Sequence, residues 1–166
     1  MKNQIIPVLL IILLTLTGCR PVTSGSPTNS LPPGELAAGT VQSFFHALYD
    51  EDYQRAVEMY GGAYTVLKNY NPDLDPTEKA RLLQRACQVN GFVCLPVHEV
   101  IEVKSATPGT YVVSVSFQTS DGELFVRSDC CGGTEAKNQM ETVFTFQVEK
   151  NQDGQFQVMD LPVYIP

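Results

Sequence analysis

The sequence predicts an α+β fold in which N-terminal helices pack on a curved antiparallel β-sheet. Three observations carry this. Apolar residues recur at helical spacing up to about residue 90. From Val97 the period changes to two, the spacing of a strand with one buried face. The alternating runs are then joined by short turn signals, Ser120-Asp121-Gly122 and Asp153-Gly154, as in hairpins. Helices first and hairpin-linked strands second imply one sheet with helices on one face.

The chain opens outside that domain. "MKNQ" carries one positive charge, and "IIPVLLIILLTLTGC" is almost wholly apolar up to Gly18 and Cys19, as in a secretory signal. About 15 apolar residues are short for a spanning helix, which needs about 20, and no basic cluster follows. Leu16-Thr17-Gly18-Cys19 resembles the bacterial lipobox. That resemblance implies cleavage after residue 18, diacylation of the Cys19 sulfur, and a protein held to the membrane through its lipid. Two or more acyl chains make a stable anchor, at about 0.8 kcal/mol per buried methylene. Residues 19–34, rich in Ser, Pro, Thr and Gly with little apolar mass, read as a flexible tether. Residues 35–166 form a single domain of ordinary size. The expected address is extracytoplasmic, at the cell surface or outer membrane.

The full chain of 166 residues has a net charge of −7, and loss of Lys2 with the signal makes it −8. This balance argues against nucleic acid and against electrostatic binding to anionic lipid, both of which require a surplus of Lys and Arg.

Within the domain, Val41, Phe44, Phe45 and Leu48 form the apolar stripe of a first helix, broken by Asp50-Glu51-Asp52. Tyr53, Ala56, Val57 and Tyr60 repeat the spacing in a shorter helix, with Asp52 as cap and Gly61-Gly62 as terminator. Asp75-Pro76-Thr77-Glu78 announces a third helix, whose apolar side is Leu82, Leu83, Ala86 and Cys87 and which ends at Asn90-Gly91. A short strand is expected around Tyr64 to Leu67. Five later strands follow: 97–104, 111–118, a shorter one at 123–127, 142–150 and 155–161. Phe144, Phe146 and Val148 should be buried, with Thr145, Gln147 and Glu149 facing outward.

The stretch "TVQSFFHALYDEDYQRAVEMYGG", with its aromatic pair, acidic break and second helix, resembles the nuclear transport factor two-like fold, also called ketosteroid-isomerase-like or cystatin-like. The resemblance implies a cone whose interior can hold a pocket, lined in catalytic members by Asp, His or Tyr.

Candidates for such chemistry are few. His46 lies about 150° from the centre of the first helix's stripe and so faces solvent, and His98 has no partner in view. Counting by two from Phe156 and Val158 places Asp160 on a buried face, unless the strand ends earlier, as nearby Pro162 favours. Tyr53, Tyr60 and Tyr111 complete the possible pocket, since each offers a ring and one hydroxyl. No phosphate loop, hydrolase triad or zinc motif appears, and no cofactor is expected. The reading is therefore non-enzymatic binding of a small molecule or peptide, or contacts with envelope proteins. The alternative is a pocket enzyme of the isomerase, dehydratase or hydrolase type using Asp160 and tyrosines.

With Cys19 assigned to lipid, Cys87, Cys94, Cys130 and Cys131 form an even set in an oxidising compartment, and disulfides are the default over a metal site. Three pairings exist. Adjacent cysteines reach disulfide geometry only with backbone strain, so bridges from Cys87 and Cys94 to Cys130 and Cys131 are favoured over Cys87–Cys94 with Cys130–Cys131. Such bridges would close loops of about 40 residues, worth about 4 kcal/mol each in the chain-entropy model.

Overall fold

The computed structural model describes residues 31–127 and 140–165. The helices are α1 (Pro33–Tyr49), α2 (Tyr53–Met59), α3 (Thr65–Tyr70) and α4 (Lys79–Gln88); the strands are β1 (Val97–Thr107), β2 (Thr110–Phe117), β3 (Phe144–Lys150) and β4 (Phe156–Val158). The sheet is antiparallel in the order β1-β2-β3-β4. Three register shifts between β1 and β2 bend it. The helices pack on this sheet, α1 touching all four strands.

Helix α1 begins two residues before the expected domain boundary, because Pro33 has the preset φ that suits a first helical position. Its stripe is buried as read: Val41, Phe44 and Phe45 are fully inaccessible. The end of α1 is a tight reversal. The Glu51 N–H donates to the Leu48 carbonyl and the Asp52 N–H to the Ala47 carbonyl, the paired bonds of a Schellman motif. The residue in the left-handed position is Glu51 (φ 61°), among the described residues the sole non-glycine with positive φ. Asp52 then caps α2, accepting the Arg55 N–H at 3.2 Å.

After α2 the chain runs beside β4: the Gly61 N–H donates to the Val158 carbonyl at 2.9 Å. A Cβ on Gly62 would sit 2.1 Å from the Met159 carbonyl oxygen, so only glycine fits there. The segment expected as a short strand around Tyr64 to Leu67 is instead the start of α3, which packs on α4 and has Leu67 buried. A four-residue apolar run has no period that separates strand from helix.

The Asp75–Glu78 cap forms a turn ahead of α4 rather than its first turn. Asp75 accepts the Thr77 N–H at 2.8 Å, and Glu78 accepts the Asp75 N–H at 3.0 Å. Regular helix starts at Lys79.

In the sheet, β3 alternates as expected, with Phe144, Phe146 and Val148 buried and Thr145 and Gln147 exposed. Among the described residues four strands stand where five were expected. Residues 123–127 contribute only isolated bridges, Gln118 to Leu124 and Arg127 to Glu141, because the chain changes partner within four residues.

Across the α1–sheet interface the rings interlock. Phe45 meets Phe117 at 4.7 Å and Phe146 at 4.8 Å, both edge-to-face, and Phe44 stacks on Tyr60 at 5.8 Å. Edge-to-face pairs at this spacing are attractive beyond the area they bury. The space between α1 and the sheet is filled by these side chains together with Val113, Val115 and Val148, all fully inaccessible.

Candidate functional site

The four residues expected to line one pocket do not line a common one. Tyr60 is in the core, its ring between Phe44 and Tyr64 and its hydroxyl donating to the Ala63 carbonyl at 3.2 Å. Burial pushes its pKa up, with Tyr64 and Asp160 adding to the shift, so it stays a neutral phenol. Tyr111 packs edge-to-face on Phe156 at 5.6 Å, near the start of α1.

Asp160 is not on a buried face. Strand β4 ends at Val158, and the exposed Asp160 carboxylate accepts the Gln147 N–H at 2.6 Å, tying the last loop to β3. Counting by two fails there because the strand stops before Pro162, as the alternative reading had it. His98 is exposed, and His46 is exposed and pairs with Asp50 at 3.2 Å.

Tyr53 lines a surface groove of about 400 Å³ formed by the end of α1, the start of α2, the α4–β1 link and Phe125. Leu48, Phe92, Leu95 and Phe125 give it apolar walls, and Tyr49, Glu51, Tyr53 and Gln88 a polar rim. Tyr49 is 42% exposed, which leaves much of its side chain accessible. Partial burial raises the pKa of Tyr53; the nearby negative charge of Glu51 adds to this, and the Gln88 side chain partly offsets it. The three groups therefore share one small volume.

The groove's wall includes the Cys87–Cys94 disulfide, with Cα atoms 5.5 Å apart. This corrects the expectation that both sulfurs bridge to Cys130 and Cys131, which lie outside the described residues. The reason is the turn after α4. The Asn90 N–H donates to the Arg85 carbonyl and the Phe92 N–H to the Ala86 carbonyl, and Gly91 takes φ 79°, so the chain doubles back beside the helix. Gly91 also accepts the Ile165 N–H, which fastens the C-terminal segment to the same turn. Cys19 likewise lies outside the described residues.

Among the described residues no group of three or more His, Cys, Asp and Glu side chains is placed to hold a metal ion. Among them, too, no helix is long and apolar enough to cross a membrane.

The signal missed in the sequence is Glu51. Asp50 is engaged by His46 and Asp52 by the α2 cap, whereas the Glu51 side chain has no hydrogen-bond or ion-pair partner among the described residues. Of the acidic triplet, Glu51 is the one that lines the groove. Comparison with protein-family models and with curated proteins returns no match to this chain.

Proposed function

We propose that this protein is a lipid-anchored, extracytoplasmic binding module of the nuclear transport factor two-like kind, working through the groove beside its disulfide. The observation that carries the reading is the filled interior. The place where a cone-shaped fold keeps a pocket is occupied here by Phe44, Phe45, Phe117 and Phe146 at ring distances of ordinary core packing. A ligand is then left to the surface. The groove offers apolar walls with a few polar groups, the usual composition of a small-molecule site, at a volume within the usual range of roughly 300 to 1,000 Å³. The signal-like N-terminus and the lipobox at Leu16 to Cys19 support the anchored, extracytoplasmic address, as does a disulfide that persists in an oxidising compartment. The pocket-enzyme alternative has less support, because Asp160 is exposed and engaged by a backbone N–H while Tyr60 is committed to the core.

Anchoring is tested by expressing the full chain in a bacterium and mass-analysing its N-terminal peptide. The expected product begins at Cys19 and carries acyl chains, and Cys19→Ala abolishes acylation. An unmodified Cys19 peptide in the wild type would overturn the lipid anchor.

A further inference from the structure

We infer that the groove takes a small organic cation, a positively charged nitrogen on an apolar body, with Glu51 as its counter-charge. This rests on the reading of the groove as the binding site.

The charge of the groove is one-sided. Among the described residues, and apart from its tyrosine hydroxyls, the sole ionisable side chain lining it is Glu51, with no Lys, Arg or His. The neighbouring acids have structural partners, Asp50 with His46 and Asp52 with the Arg55 N–H. Glu51 has none among the described residues, and its exposed side chain at the rim is left available to an opposite charge. The walls suit the rest of such a ligand. Tyr49 and Tyr53 present partly exposed rings whose π-faces attract a cation, and Leu48, Phe92, Leu95 and Phe125 accept an apolar body. An anion would meet Glu51 and the ring faces, both repulsive, and among the described lining side chains its donors are only the neutral tyrosine hydroxyls and the Gln88 amide.

The position of Glu51 is also costly to the fold. It occupies the left-handed place of the Schellman turn, where glycine is the usual residue and a side chain is strained. The fold itself would be served as well or better by glycine, so stability does not explain the glutamate.

The test follows amide shifts of the ¹⁵N-labelled chain from Cys19 to Pro166. The probes are benzyltrimethylammonium, its neutral counterpart benzyl alcohol, and acetyl-Gly-Lys-Gly-amide. We expect benzyltrimethylammonium to shift the amides of Glu51, Gln88 and Cys94 and to bind more tightly than benzyl alcohol. Glu51→Gln and Glu51→Gly should each weaken the cation by roughly three- to fivefold, as for an exposed ion pair, and leave benzyl alcohol unchanged. Glu51→Gly should not lower the melting temperature, which separates lost binding from lost folding.

Equal affinity for the charged and neutral probes, or no effect of either substitution, would overturn the charge assignment while leaving the binding module intact. Tighter binding of the lysine peptide than of benzyltrimethylammonium would overturn the small-molecule assignment in favour of a protein side chain. No shift at the groove with any probe would overturn both this inference and the choice of the groove as binding site.

Discussion

The interior beneath α1 and the groove at its C-terminal end use the same residue types to opposite ends. Beneath α1, Phe45, Phe117 and Phe146 meet edge-to-face within 6.0 Å, and each is 2% exposed or less. At the groove, Tyr49 and Tyr53 are only partly covered, and the polar Glu51 and Gln88 stand beside them. Rings that find partners on all sides contribute stability and leave no space; rings that find partners on one side leave a surface that another molecule can cover. The interior is closed, and the open apolar area of the groove lies at a junction of two helices and a disulfide loop.

The largest expected effect is in the interior. Phe146→Ala should lower unfolding stability by about 3 to 5 kcal/mol, measured by urea denaturation, because the ring is nearly inaccessible and its neighbours cannot close the gap. A loss under about 1 kcal/mol would mean that the interior is loosely filled and would erase the contrast with the groove. Next comes the groove's wall. Replacing Cys87 and Cys94 together by alanine should cost about 2.5 kcal/mol, the chain-entropy value for a short loop with sequence separation 7. Peptide mapping without reduction should recover Cys87 joined to Cys94; either one joined to the peptide of Cys130 and Cys131 would contradict the structure.

Two smaller effects sharpen the comparison. The Tyr64 hydroxyl is buried without a hydrogen-bond partner, and burial pushes its pKa up to about 12. Tyr64→Phe should therefore be neutral or stabilise by up to about 1 kcal/mol. The pH dependence has a definite sign. Below pH 10 both folded and unfolded chains keep this proton; between about 10 and 12 the unfolded chain releases it and the folded chain does not, so stability falls as pH rises through that window. Tyr64→Phe should reduce the alkaline loss, and an unchanged alkaline transition would show that Tyr64 is not responsible for it. Glu51→Gly should give the smallest change, a gain of about 0.5 kcal/mol. Relief of left-handed strain, about 1 to 2 kcal/mol, is offset by about half through the added freedom of glycine in the unfolded chain. A clear loss of stability would mean that the glutamate holds the turn together.

The interior was legible in the sequence because periodicity is a local signal. Val41, Phe44, Phe45 and Leu48 declare one helix face, and Phe144, Phe146 and Val148 one strand face, each without knowledge of the other. The groove was not legible, because it joins Leu48 to Tyr53, Cys87 to Leu95, and Phe125, three segments whose meeting depends on how the helices cross. Its disulfide was misassigned for a similar reason. In the sequence Asn90-Gly91 marks a helix stop; in the structure it also turns the chain back far enough to bring Cys94 to Cys87, and the short spacing between the two cysteines is the available clue. Glu51 carried a fainter one. In Asp50-Glu51-Asp52 the flanking aspartates suit structural roles at a helix junction, which leaves the central acid to be explained.

The central claim is that the interior is closed, so that binding belongs to the surface. Xenon enters dry apolar cavities large enough to hold it, and a crystal of the domain pressurised with xenon would test this most directly. The account predicts no xenon site among Phe44, Phe45, Phe117 and Phe146. An ordered xenon atom bound among those rings would contradict it and return the search for a ligand to the inside of the fold.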